Sequence, residues 1–199
     1  SFKKVEKFQN NKLRLNSSKK NLLVTFHPET MEKDNGRGTL NTLLNFLMKL
    51  DNYYIIFTSS NADSSALYFK KKLNYFIKNK KNCSYIRSFG KDNYYSLLKD
   101  VDCMIGNSSS GIIETPLFNL PVINLGNRQK GRVMPKNVIN ISNKITSKKL
   151  KKSLEIALSQ NFKKRIKGIK DPNYKKNTSN NIIKIIKKIN FKKFKTKEF

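Results

Sequence analysis

Six short apolar runs, each parted from the next by a helical or polar stretch, constrain this chain more than any other feature. They are residues 21–26 (NLLVTF), 53–58 (YYIIFT), 84–88 (SYIRS), 101–105 (VDCMI), 121–125 (PVINL) and 137–141 (NVINI). Between the first two, residues 39–50 carry Leu40, Leu43, Leu44, Leu47 and Leu50 at helical spacing. Residues 64–79 form an amphipathic pattern with a lysine face, and Asp92 stands where it would cap a helix holding Tyr95, Leu97 and Leu98. From about Ser147 onward the pattern is helical and lysine-rich, broken by GIKDPNYKKNTS at Gly168 to Ser179. Strands that are apolar on both faces and alternate with helices predict an α/β fold, a parallel sheet with helices on both faces.

The net charge of +29 invites a reading as a nucleic-acid or membrane binder. The positives are nearly all lysine, however, and they accompany abundant Asn, Ile, Phe and Tyr. That mixture fits a compositional bias plus solvated helix faces, so neither nucleic acid nor membrane is expected as a partner. The apolar runs are far shorter than the roughly 20 residues of a membrane span. A single histidine, His27, excludes a multi-histidine metal site within the chain, and no metal is expected. Cys83 and Cys103 sit in apolar segments and are expected as buried thiols of a reducing cytoplasm. The chain begins at Ser1, and an N-terminal portion is expected upstream of it.

In an open parallel sheet, ligands bind beyond the carboxyl ends of the strands. The loops there are His27-Pro28-Glu29-Thr30, Ser59 to Asp63, Phe89-Gly90-Lys91, Gly106 to Gly111 and Gly126 to Arg132. Gly106-Asn107-Ser108-Ser109-Ser110-Gly111 is the sharpest. Small residues let backbone N–H groups approach an anion, a following helix offers unpaired N–H groups, and serine hydroxyls add donors. The residues fit a phosphate cradle and a serine-capped helix equally. Arg128 and Arg132 stand in one loop of a chain that otherwise prefers lysine, and arginine alone can fork two hydrogen bonds onto a phosphate. His27 follows a strand directly. Glu114 lies just inside the helix after the serine loop, placed to answer the helix dipole or to accept from ribose hydroxyls.

The stretch GNSSSGIIETPLFNLPVINLGNRQKGR, residues 106–132, closely resembles the hydrolysing UDP-N-acetylglucosamine 2-epimerases, nearest the bacterial branch of sialic and legionaminic acid synthesis. VTFHPET (24–30), TSSNAD (58–63) and DPNYKKNTSNNIIKII (171–186) fall in matching order. The resemblance implies the Rossmann-like, UDP-binding C-terminal domain of a GT-B-type two-domain fold, with the N-terminal catalytic domain missing from this chain. It divides the chain into an entry segment (1–20), the nucleotide domain (21–168) and a lysine-rich helix and tail (169–199). It assigns Ser108 and Ser109 to the diphosphate, Glu114 to the ribose, Arg128 to the UDP site and Asn61 to the neighbourhood of the nucleotide. His27 is assigned to the diphosphate and the reacting sugar, as a catalytic residue. The implied reaction eliminates UDP from a UDP-N-acetylated sugar and hydrates the product to N-acetylmannosamine, with no cofactor. The implied full-length protein is a cytoplasmic homodimer.

The sequence departs from the family in two places. Tyr174-Lys175-Lys176-Asn177 replaces a glycine-rich turn, and the tail from Ile189 is longer and more basic. Hydrolysis of a UDP-2,4-diacetamido-2,4,6-trideoxyhexose and a GT-B glycosyltransferase remain as alternative enzymes. A basic binding module is the non-enzyme alternative; its support is the helix from Asn181 to Phe194, whose isoleucines are otherwise expected to pack into the core.

Overall fold

The computed structural model describes residues 15, 18–29, 32–59, 66–142, 144–169, 172 and 174–189. The six apolar runs become β1 (Lys20–Thr25), β2 (Tyr53–Thr58), β3 (Cys83–Ile86), β4 (Cys103–Gly106), β5 (Val122–Leu125) and β6 (Val138–Ile141). They form one sheet in the order β3-β2-β1-β4-β5-β6, and every pairing is parallel. Strand order reverses between β1 and β4, where the register sets Thr25 beside Gly106. This is the Rossmann arrangement, and the reversal opens a crevice at the carboxyl ends of β1 and β4.

Alternation along each strand explains the two cores. Leu22 and Val24 of β1, with Ile55, Phe57 and Ile105, face α1 (Arg37–Met48), α2 (Ala66–Asn79) and α5 (Ser147–Leu158). Leu23, Ile56, Met104 and Val122 face the other side, against α3 (Lys91–Asp100) and the 3-10 turn Thr115–Phe118. Leu22, Leu23, Ile55, Ile56 and Ile105 are each 0–1% exposed, so each contributes about 1.5–3 kcal/mol of transfer free energy. The helix spacing read from Leu40, Leu43, Leu44 and Leu47 holds, whereas Leu50 lies past the end of α1 and packs on the core from outside it.

Three expectations need correction. Asp92 does not cap α3: Gly90 takes the cap position, with no side-chain hydrogen bond, and Asp92 lies in the first turn, facing the helix dipole. Arg87 and Ser88 leave the sheet after Ile86 and turn toward the crevice. The isoleucines of the terminal helix do not enter the core. After α6 (Gln160–Ile166), α7 (Thr178–Lys188) buries none of its residues, and Ile182, Ile183, Ile185 and Ile186 are 50%, 49%, 60% and 48% exposed. At the turn where the sequence departs from the family's glycine-rich segment, Asn177 takes the left-handed conformation at φ 55°, which asparagine tolerates better than other non-glycine residues. Cys83 and Cys103 are both buried thiols, with no disulfide between them.

Candidate functional site

The floor of the crevice is set by one close approach. A Cβ on Gly106 would lie 1.8 Å from the Thr25 carbonyl oxygen, and its φ is +147°. Only glycine fits, and the reason is strand β1 rather than an incoming anion. The chain then turns through Asn107 into the serines and α4 (Ser110–Ile113), a single short turn of helix.

Asn107 is fully buried and ties the loops together. Its Oδ1 accepts from the His27 backbone N–H at 2.7 Å, and its Nδ2 donates to the His27 carbonyl at 2.9 Å. The same Nδ2 donates to Glu29 Oε1 at 3.2 Å. The Asn107 carbonyl accepts from Gln129 Nε2 at 2.8 Å and from Arg128 Nη1 at 3.3 Å. Three loops, after β1, β4 and β5, are thus knotted at one residue.

The knot supports a hollow of about 500 Å³ that opens at the strand-order reversal. His27, Ser108, Ser109, Glu114 and Arg128 all line it. Asn61 lies outside the described residues. Arg132 is exposed and does not line the hollow, so the two arginines of that loop part ways. Ser109, at the N-cap position of α4, makes no side-chain capping bond, while Ser108 Oγ accepts from the Ser110 N–H at 3.3 Å. Ser108 thus caps weakly, and both serines border the hollow. Ser110 donates to Glu114 Oε2 and pairs with the Tyr94 hydroxyl at 2.6 Å. Burial pushes the Tyr94 phenol up to about 12, so it stays a neutral donor at ordinary pH. His27 is buried, 7% exposed.

Several lining residues carried no isolated signal in the sequence. Arg87 lies just past the end of β3 and Tyr94 lies on α3, to either side of Phe89 and Gly90. Thr25 and Thr58 close the ends of β1 and β2, their hydroxyls 2.6 Å apart. With Lys91 and Arg128, Arg87 makes the hollow cationic, and Ser108 and Ser109 add neutral hydroxyls, while the Tyr94 and Ser110 hydrogens are taken up in the chain to Glu114. That donor set suits a phosphorylated, polyhydroxylated ligand. Among the described residues no three His, Cys, Asp or Glu side chains cluster as a metal site requires. No helix among them is long and apolar enough to cross a membrane.

Comparison with known proteins agrees with this architecture. A Campylobacter jejuni protein named GDP/UDP-N,N'-diacetylbacillosamine 2-epimerase (hydrolyzing) is 42% identical over 129 residues, 64% of this chain and 34% of that protein. Polysialic acid biosynthesis protein P7 of Escherichia coli is 32% identical over 182 residues, 91% of this chain and 45% of its own length. The chain thus spans about a third to a half of the length of these curated relatives. Among solved structures, UDP-GlcNAc 2-epimerase from Neisseria meningitidis, bound to UDP-GlcNAc, superposes with a TM-score of 0.69 at 14% identity, covering 88% of this chain and 46% of that one. The likeness gives the fold: a Rossmann-like domain of the GT-B type. The model of the family described as UDP-N-acetylglucosamine 2-epimerase matches residues 2–187, nearly the whole sequence, and the chain belongs to that family.

Proposed function

We propose that this chain is the UDP-binding C-terminal part of a hydrolysing UDP-N-acetylglucosamine 2-epimerase. The full-length protein eliminates UDP from UDP-GlcNAc and adds water, giving N-acetylmannosamine. The observation that carries the reading is the convergence of His27, Ser108, Ser109, Glu114 and Arg128 on one hollow at the strand-order reversal.

In this reading Ser108 and Ser109 hold the diphosphate, and Glu114, steadied by Ser110, accepts from the ribose hydroxyls. Arg128 is aimed by its bond to the Asn107 carbonyl and stabilises the charge that grows on the departing UDP. The same reading assigns Asn61, which lies outside the described residues, to the nucleotide. His27 stands beside the diphosphate and the sugar, its backbone fixed at both ends by Asn107. The carboxylates that move protons at the sugar belong mainly to the N-terminal domain, so this chain supplies leaving-group stabilisation and needs that domain for turnover. The division into a nucleotide domain at 21–168 and a terminal helix and tail at 169–199, a cytoplasmic location and assembly as a homodimer belong to the same proposal.

A second reading of the sugar, a UDP-2,4-diacetamido-2,4,6-trideoxyhexose, is favoured by the name of the Campylobacter jejuni relative. Both readings share the UDP site. The test is calorimetric titration of UDP into the full-length protein and its Arg128→Ala variant. Loss of one charge-assisted contact weakens binding by about 10- to 100-fold. Unchanged affinity removes Arg128 from the site, and no UDP release from either sugar nucleotide refutes the activity.

A further inference from the structure

The carboxylate of Glu29 lies outside the hollow yet beneath it. The side chain is 6% exposed, and each oxygen meets a donor from a distant loop. Oε1 accepts from Asn107 Nδ2 at 3.2 Å, and Oε2 accepts from the Asn127 backbone N–H at 3.3 Å. The loop after β5 is shaped around this group. A Cβ on Gly126 would come within 2.2 Å of Glu29 Oε1, and Gly126 has φ +78°.

We infer that Glu29 is a positioning residue of the nucleotide site, holding the loop that carries Arg128 through its paired bonds to Asn107 and Asn127. The inference rests on the reading of the hollow as a UDP site.

The donors on the two sides of Glu29 cannot be exchanged for acceptors. Asn107 is held in one orientation because its Oδ1 faces the His27 N–H and its Nδ2 faces the His27 carbonyl. Its Nδ2 is therefore what Glu29 meets. On the other side stands a backbone N–H, which cannot flip. The position requires an acceptor on each of two oxygens, and only an ionised carboxylate supplies both. Glutamine, or protonated glutamate, sets a hydrogen against one of the donors. The contact to lose is the longer one, to Asn127, next in sequence to Arg128. Burial raises the Glu29 pKa above the ordinary glutamate range, and Glu32 adds to this, while the bonds to Asn107 and Asn127 and the nearby Arg128 oppose it. His27, two residues away, is a further titratable group of the same loop. The carboxylate thus passes to its protonated form at a higher pH than an exposed glutamate does, and the Arg128 loop loosens as the pH falls.

The test is UDP affinity, by calorimetry, of the full-length protein and its Glu29→Gln variant from about pH 8 down to about pH 4, through the range in which carboxyl groups titrate. The titration of UDP itself is common to both proteins and cancels in the ratio. Glu29→Gln is expected to bind UDP roughly tenfold more weakly at the upper end, the cost of one charged hydrogen bond. The ratio is expected to close toward one at the lower end, as the natural residue protonates. Equal affinity at the upper end, or a constant ratio throughout, overturns the inference and leaves the UDP reading standing. Absence of UDP binding by the unsubstituted protein overturns the UDP reading instead. The pairing itself is then read without ligand or variant, from the Asn127 amide resonance: a shift following the Glu29 titration supports it, and an amide indifferent to pH overturns it.

Discussion

Replacing Asn107 by alanine tests the knot that holds the site. The side chain is fully buried and makes three hydrogen bonds, at 2.7, 2.9 and 3.2 Å. Truncation strands the His27 N–H, the His27 carbonyl and one oxygen of Glu29. A buried polar group left without a partner costs about 1–3 kcal/mol, more when charged. The vacated amide volume is large enough for about one water, which restores part of the bonding. The expected net loss is about 3–4 kcal/mol, a large share of the roughly 5–15 kcal/mol that holds a domain together. Urea unfolding reads it as a lower midpoint at unchanged slope. Combining Asn107→Ala with Glu29→Gln should cost less than the sum, by about 1 kcal/mol, because the two share a bond. A loss below about 1 kcal/mol for Asn107→Ala, or strict additivity in the pair, would refute the claim that the loops are tied there.

Two further outcomes follow from close approaches and burial. Gly106→Ala sets a Cβ 1.8 Å from the Thr25 carbonyl and forces β1 and β4 apart, so stability should fall by about 3 kcal/mol or more, or about 6–12 °C in melting temperature; an unchanged melt would contradict the contact. Burial, helped by nearby Asp102, pushes the Cys103 thiol well above the ordinary range, so it is expected to resist alkylation until the chain unfolds. Fast labelling of Cys103 in the native protein, read by mass spectrometry, would show that β4 is not sealed.

The sheet was legible because its strands are apolar on both faces. No exposed side of a sheet blurs runs such as residues 21–26 or 53–58, and each became a parallel strand. The loops were legible in position for the same reason: once a strand ends, topology says where its last residue points. What the loops do to one another was not. Glu29 meets Asn107 and Asn127 across 78 and 98 positions of sequence, and no local pattern announces a bond of that reach. Asn107 sat inside the serine turn and drew less notice than its neighbours, although it fixes them. Arg87 was read as strand because SYIRS is apolar at its start, while the sheet ends at Ile86. The terminal isoleucines misled differently. A helical stripe tells that a face is to be covered, and it does not tell whether the cover lies within the same 199 residues.

The reversal of strand order between β1 and β4 has a consequence for how such a protein can change over time. Connections on the two sides of that junction depart in opposite directions, so no crossover helix roofs the gap, whatever side chains the chain carries. The address of the chemistry is written in connectivity, while its content is written in a few loop residues. Substrate preference can then be revised one loop at a time, with the scaffold beneath left untouched.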